Sequence, residues 1–175
     1  MVETATYKHP KSEARIGNYL FTIGDKPNLQ FSVTGSNVAD ITLNTTFFPT
    51  GDKDIYLPSN KIETDPLVIT FLISEDYSEW LEIYKWILNV KNGASMGRYE
   101  ELFQVCELTA LDSQNQPTVR FQYSDCFPIT LEGIQYVTDD ENNRIASTTS
   151  TLRYNRMKVV TPSGEVITES YGKDQ

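Results

Sequence analysis

The side chains that most often perform catalysis are scarce in this sequence. The single histidine, His9, lies in a polar N-terminal stretch, and any Ser-His-Asp or Cys-His arrangement would have to use that residue. No CxxC, HExxH, P-loop or GxGxxG pattern is present. From its local chemistry alone, the chain is therefore not predicted to be an enzyme, and no cofactor is expected.

Two acidic groups come closest to a cation site. Asp139, Asp140 and Glu141 form a cluster that could attract a cation, but the cluster lacks the glycine and the distal glutamate of a calcium loop. Asp52 and Asp54 flank a turn, and we expect both to be solvated there. The sequence therefore predicts no metal site.

The charge of the chain argues against two classes of partner. The formal net charge is −9, so the chain lacks the basic face with which proteins displace counterions from nucleic acids. Anionic membrane surfaces are disfavoured for the same reason. No apolar run approaches the length of a membrane span, and the N-terminus shows no apolar core of a signal peptide.

The two cysteines, Cys106 and Cys126, are too few for a disulfide framework. Reduced, mostly buried thiols are the expected state in a protein assembled in cytoplasm. A single bridge between residues 106 and 126 is the alternative.

Hydrophobic periodicity predicts one β-rich domain with a single helix. Aromatic residues make up 11% of the 175 residues, a share that favours β structure because aromatic side chains pack well on a pleated surface. We predict a polar arm at 1–17, a β domain at 18–160 and a C-terminal hairpin and tail at 161–175. Strands are predicted at 18–24, 28–35, 37–43, 66–74, 105–113, 117–126, 127–136 and 144–160, the last bending between two sheets or reaching to a neighbour.

The predicted helix covers about residues 75–92, with Ser74 as its N-cap and Asn92-Gly93 as its stop. An apolar stripe at helical spacing is expected to cover the strand at 66–74. The stripe comprises Trp80, Ile83, Tyr84, Ile87 and Leu88. Trp86 falls off this stripe, so it is either a contact for an outer partner or partly buried under the connection at 94–103.

Residues 44–65 read as a long loop, because Pro49, Gly51 and Pro58 interrupt the strand pattern. The loop is too apolar to lie free in water, so it packs either on its own barrel or on a neighbouring subunit. The contact candidates are Phe47, Phe48, Ile55, Tyr56 and Leu57.

The order of these elements resembles the tail-tube superfamily of contractile-tailed bacteriophages. The features that carry the resemblance are the segment "DPLVITFLISED…W…IYKWI" at 65–87, the "DCFP" turn at 125–128 after a charged hairpin, and a final Thr-rich strand ending "TLRYNRMKV". The superfamily includes tube proteins, baseplate initiators and proteins of tube ends and hubs.

The resemblance implies an antiparallel β-sandwich or barrel with one flanking helix. It also implies a virion structural protein, assembled in the host cytoplasm, that forms six-fold rings around a channel. The loop at 44–65 would contact the adjacent ring, Trp86 would face a sheath or collar partner, and DNA would pass through an acidic channel without sequence-specific binding.

Three alternatives stay open. The extra hairpin after residue 160 and the N-terminal arm suit a specialised ring at a baseplate, hub or tube end as well as a repeating tube subunit. A tube protein of a bacterial secretion system would assemble through the same kinds of contact. A monomeric barrel that binds a small ligand belongs to a different class, and oligomeric state would separate it from the others.

Overall fold

Ten strands and two helices form the part of the chain that the computed structural model describes, residues 16–24, 26–98, 102–134, 136 and 145–168. The predicted mainly β, antiparallel fold is confirmed. The helices are α1 (Pro27–Ser32) and α2 (Ser78–Met96). The strands are β1 (Tyr19–Ile23), β2 (Val33–Ser36), β3 (Ile41–Pro49), β4 (Asp54–Thr64), β5 (Leu67–Leu72), β6 (Gln104–Leu111), β7 (Pro117–Leu131), β8 (Ser147–Arg153), β9 (Arg156–Val160) and β10 (Val166–Thr168).

The main sheet has the strand order β1-β6-β7-β8-β5-β2, and β9 and β10 branch from it at β7. All of its neighbouring strands are antiparallel. β3 and β4 form a separate two-stranded sheet. Of the two described helices, neither is long and apolar enough to cross a membrane.

β5 runs through the core, and burial alternates along it although its sequence is apolar on both faces. Leu67, Ile69 and Phe71 are fully buried, while the intervening residues are half-buried. β5 lies between β2 and β8 in the sheet, so its backbone groups are paired on both edges.

β7 turns the sheet through a corner. Its residues 120–124 pair with β9, and its residues 127–131 pair with β8. Between these segments Asp125 adopts a positive φ of 58°. The strand predicted at 144–160 breaks at the same point, after Arg153, and the amide of Asn155 donates to the carbonyl of Ser124 at 3.1 Å. The expected bend is therefore present, and it divides this strand into β8 and β9.

The C-terminal turn follows its prediction. β9 and β10 pair through a tight turn in which Gly164 has φ of 82°, a conformation that favours glycine. The predicted arm, the acidic cluster at 139–141 and the tail after Thr168 lie wholly or mostly outside the described residues. The predicted domain boundaries stay a prediction.

The strand predicted at 28–35 is wrong over its first half, where the chain forms α1. The alternation of Leu29, Phe31 and Val33 suggested one buried strand face. Instead, a helical turn buries Leu29 completely and leaves Phe31 86% exposed. The helix begins at Pro27, whose missing N–H costs nothing in a first turn.

α2 begins and ends later than predicted. Tyr77, not Ser74, occupies the N-cap position. Gly93 lies inside the helix, where a Cβ would collide with the side chain of Leu102. The helix ends at Gly97, which has φ of 70° and donates its amide to the Ala94 carbonyl at 3.3 Å. The close packing of Leu102, rather than a helix stop, explains the first glycine.

The buried face of α2 also differs from the predicted stripe. Ile83 and Trp86 are buried and pack with Ile87 and Val90 in the core, whereas Tyr84 is exposed. Leu81 and Leu88 are exposed too. Trp86 is only 4% exposed, and its Nε1–H donates to the Leu102 carbonyl at 2.9 Å. Trp86 as an outer partner contact is therefore wrong, because its side chain is buried in the core.

Replacing Trp86 tests this packing. We expect Trp86→Ala to lower the free energy of unfolding by about 3–5 kcal/mol, because it removes a buried aromatic ring and leaves a cavity. Chemical denaturation followed by circular dichroism measures the change. Tyr84→Ala, on the exposed face of the same helix, is the control and should cost far less. Equal losses for the two variants would contradict the burial of Trp86.

A hydrogen-bonded carboxylate links the start of α2 to the preceding chain. Glu79 is buried and accepts from the Ser74 amide at 3.1 Å and from the Ser74 hydroxyl at 2.5 Å. Burial alone would raise the pKa of the Glu79 carboxyl, but these hydrogen bonds outweigh it and hold the pKa below its usual range. The carboxylate therefore stabilises the fold above its unfolded pKa of about 4.3, and this contribution disappears as pH falls through the lower folded pKa.

We expect Ser74→Ala to lower the free energy of unfolding at pH 7 by about 1–2 kcal/mol, because the buried carboxylate loses a donor. The difference from wild type should shrink on acidification below the folded pKa. Denaturation curves at pH 7 and pH 3 measure it, and Ser74→Thr, which retains the hydroxyl, is the control. The same deficit at both pH values would count against an ionised Glu79.

Candidate interaction surface on a projecting hairpin

The segment predicted as a loop at 44–65 is a β-hairpin. β3 and β4 pair with each other from Ile41↔Thr64 to Pro49↔Asp54, with an irregularity between Leu43 and Thr45. Nearly all of their residues are exposed, so the hairpin stands clear of the domain. Its base is held where the Asp65 amide donates to the Asp40 carbonyl at 3.0 Å.

The five contact candidates lie together at the far end of this hairpin. Phe47 pairs with Tyr56, Phe48 pairs with Ile55, and Leu57 lies opposite Thr46. Their exposed fractions range from 43% to 68%. Packing of this segment on its own barrel is therefore wrong, and the contact with a neighbouring subunit stays a prediction. We call these five residues, with the turn at 50–53, the hairpin tip.

The two faces of the hairpin differ near its base. On one face Ile41, Leu43 and Ile62 are exposed and apolar, a set that the sequence analysis missed. On the other face the Glu63 carboxylate accepts from Asn44 and from Lys61, each at 2.9 Å. The hydrogen bond and charge of Lys61 lower the pKa of Glu63, and Glu63 raises that of Lys61.

The difference between the two faces does not continue to the hairpin tip. Successive residues point to opposite faces, so Phe47 and Tyr56 lie on one face and Phe48, Ile55 and Leu57 on the other. The tip is thus apolar on both faces, whereas the base is apolar on one. A partner would have to surround the tip but only cover one side of the base.

A surface groove lies at the corner where β7 bends. Its volume is about 680 Å³. Phe103 and Phe127 form its aromatic wall, with ring centroids 5.4 Å apart. We call it the corner groove; it is lined by Val90, Ala94, Phe103, Asp125, Phe127, Asn155 and Arg156.

Of the histidine and acidic candidates named from the sequence, only Asp52 and Asp54 lie among the described residues. Asp52 and Asp54 are exposed at the hairpin turn, as predicted. No group of three or more His, Cys, Asp or Glu side chains that could hold a metal occurs in the described part of the chain. His9 and the acidic cluster lie outside it.

Cys106 and Cys126 are free thiols and are fully buried, which confirms the expected burial. The Cys126 thiol donates to the Tyr123 carbonyl at 3.3 Å. The hydrogen bond to Cys126, followed by burial, holds the pKa of the Cys106 thiol well above its ordinary value. A raised pKa and burial both suppress the reactive thiolate.

Several solved structures have a fold similar to that of this chain, and three of them illustrate the match. A chain from the tube-terminating cap of the anti-feeding prophage has 19% sequence identity and a TM-score of 0.68, and the match covers 92% of this chain and 99% of that chain. A chain from the extended sheath-tube complex of the PVC extracellular contractile injection system has 15% identity and a TM-score of 0.63, covering 87% and 94%. Hcp1 from E. coli EAEC 042 pathovar, as a double mutant, has 11% identity and a TM-score of 0.51, covering 88% and 99%.

The fold is the tail-tube fold. This confirms the resemblance inferred from the order of elements. Each of these matches covers nearly the whole of the other chain. At such low identities the similarity concerns the fold alone. No family model matches the sequence, and no curated protein matches it.

Thiol labelling tests the burial of the two cysteines. We expect a thiol-specific disulfide reagent at pH 8 to label neither Cys106 nor Cys126 in the folded protein, because each thiol is inaccessible and Cys106 resists ionisation. Both should react in denaturant. Gln114→Cys, in the exposed turn between β6 and β7, is the control and should label at once. Rapid labelling of the native thiols would contradict the buried arrangement.

Proposed function

We propose that this protein is a structural subunit that forms a ring of the tube in a contractile, tail-like particle such as a bacteriophage tail. The observation that carries the proposal is the hairpin tip, an exposed apolar surface projecting from a tail-tube fold. Monomeric soluble proteins rarely keep large contiguous apolar patches in water, and those that exist mark interaction sites. The tip therefore favours an assembling subunit over an isolated one.

Unpaired sheet edges support assembly into a ring. β1 and β2 occupy the two ends of the main strand order, so each has one edge without a partner strand among the described residues. Such edges invite pairing with another chain, and ring closure satisfies them. Six copies arranged edge to edge are the expected ring.

The charge of the chain suits a channel for DNA. With a formal net charge of −9, a continuous inner wall would repel phosphates, so DNA would slide through without sequence-specific binding. The expected partners are further copies of this chain and sheath, baseplate or terminator proteins of a virion tail assembled in the host cytoplasm.

A specialised ring at the tube end, the baseplate or the hub is the second candidate. The TM-score is 0.68 with the cap chain and 0.63 with the chain of the sheath-tube complex, and the coverage of this chain is 92% against 87%. The hairpin of β9 and β10 also suits a ring that differs from a minimal tube subunit. In both candidates the protein forms a ring. The candidates differ in whether identical rings stack repeatedly along the tube.

The structure does not favour a monomeric ligand-binding barrel. Such a barrel needs an empty interior, but large side chains fill the space between the sheet and α2. The fully buried ones include Phe21, Phe71, Tyr123 and Ile83. The corner groove, by contrast, lies at the surface.

Shortening the hairpin tests the proposal. Thr46 and Leu57 are paired across β3 and β4, so residues 47–56 can be replaced by an Asn-Gly turn and Leu57 by serine, which removes all five apolar residues of the tip. We expect a folded subunit that no longer stacks, because the apolar tip is gone. Mass photometry across concentration and negative-stain electron microscopy measure assembly, and circular dichroism checks the fold.

The matched control is Asn44→Ser combined with Lys61→Ser, which alters the polar face of the base and leaves the tip intact. Wild-type rings with a central hole would support the proposal, and stacked rings would favour the repeating tube over an end ring. Full-length tubes from the shortened variant would contradict the role of the tip.

A further inference from the structure

We propose that Cys106 and Cys126 are an oxidation site, at which a small-molecule disulfide converts the two thiols into a bridge that ties β6 to β7. The inference goes beyond the proposed function and does not depend on it. It follows from the positions of the two thiols, which lie on different strands and meet in the core beside the corner of the sheet.

An extra residue in β7 places both thiols on the same face of the sheet. Cys106 pairs with Tyr123 across the two strands. Gln104 pairs with Cys126, so between these two pairs β6 has one residue and β7 has two. In a regular strand, residues three apart point to opposite faces, whereas a bulge of this kind turns Cys126 to the side of Tyr123. Both cysteines and Tyr123 are accordingly fully buried.

The two sulfur atoms are in hydrogen-bond contact. The Cys126 thiol donates to the Tyr123 carbonyl at 3.3 Å, so its one hydrogen is already used. The hydrogen bond between the thiols therefore runs from the Cys106 S–H to the Cys126 sulfur. A disulfide holds its sulfur atoms at about 2.05 Å. Bond formation thus draws together two atoms that already touch, and the pairing of the strands keeps its register.

Composition and burial restrict the product to a bridge within one copy. The chain contains two cysteines, so each thiol has one possible partner inside the same copy. Neither sulfur reaches the surface, where a thiol of a second copy could meet it. Oxidation is therefore expected to yield a bridged monomer rather than a disulfide-linked dimer.

The step is a two-electron oxidation of the pair by thiol–disulfide exchange. One protein thiol loses its proton, and its sulfur attacks oxidised glutathione and displaces one glutathione, which takes up a proton. The second protein thiol then loses its proton and displaces the remaining glutathione from the mixed disulfide. The protein loses two hydrogen atoms, and oxidised glutathione gains them and becomes two reduced molecules.

The native protein should oxidise slowly and the folding chain quickly. Burial and the hydrogen bond to Cys126 hold the pKa of the Cys106 thiol above its ordinary value, which suppresses the attacking thiolate. Attack on the native protein needs a local opening at the bulge, where the pairing of β6 and β7 is irregular. In the unfolded chain both thiols are accessible, so an oxidising buffer can close the bridge before the core forms.

A particle that leaves the cell meets the conditions that keep the bridge closed. Cytoplasm holds thiols reduced, whereas disulfides persist outside the cell. This setting rests on the proposed function, but the bridge itself does not. A bridge between β6 and β7 restricts the unfolded chain and therefore stabilises the fold.

Refolding in a redox buffer tests the site. The reduced, denatured full chain is refolded with oxidised and reduced glutathione, alkylated in denaturant, and weighed by mass spectrometry with and without prior reduction. We expect a monomer that has lost two hydrogen atoms and takes up an alkyl group only after reduction. Its Tm should exceed that of the reduced protein by about 5–10 °C.

The matched control keeps two thiols but separates them. Cys106→Ala combined with Gln114→Cys leaves Cys126 at one end of the β6–β7 hairpin and puts the second thiol in the exposed turn at the other end. This variant should form no internal bridge and show no rise in Tm. Comparing the reduced and oxidised wild-type protein needs no substitution, so it tests the site even where the variant does not fold.

Each outcome bears on the site directly. A bridged wild-type monomer with a raised Tm supports it. Two free thiols after refolding in excess oxidised glutathione overturn it, and so do glutathione adducts or disulfide-linked dimers in place of the bridge. A bridged monomer with an unchanged or lowered Tm overturns the stabilising role. Ring formation is measured separately by electron microscopy, so failure of the bridge leaves the proposed function in place, and failure of assembly leaves the bridge in place.

Discussion

The fold depends on the two sets of backbone hydrogen bonds that β7 makes along one edge. Its first part pairs with β9 and its second part with β8, while β6 pairs along the opposite edge. The change of partner requires both chains to bend together, at Asp125 with its positive φ and at the break after Arg153. The same bend leaves Asp125, Phe127, Asn155 and Arg156 around the corner groove. The bend of the sheet and the shape of the groove are thus one feature.

Much of this fold follows from patterns within each segment. The errors arise where residues distant in the sequence determine which side chains are buried. The alternation in β5 and the hairpin of β6 and β7 are visible because burial repeats within each segment. α2 is different, since apolar residues lie all around it and several stripes fit a helical period. Trp86 is buried where its Nε1–H donates to the carbonyl of Leu102, sixteen residues further along the chain. At α1 the alternating sequence pattern predicted a strand, but the chain forms a helical turn that buries Leu29.

The five contact candidates could be named from the sequence and are exposed, but the hairpin that carries them was not predicted. Five apolar side chains in a polar segment indicate a contact by composition alone. Pro49 and Pro58 suggested a loop, because proline interrupts the pairing of a central strand. In a two-stranded hairpin each strand has one free edge, so both prolines fit within β3 and β4. The corner groove had no sequence signal, since its lining comes from four separate segments brought together by the bend.

In the proposed assembly, the tip of the hairpin would contribute more binding energy than its base. An isolated two-stranded hairpin is marginally stable in water, and a solvent-exposed ion pair such as Lys61 and Glu63 adds little stability because water screens it. Apolar burial gives about 25 cal/mol per Å², so in the proposed assembly a partner that covers the aromatic rings of the tip would both order the hairpin and hold the subunits together.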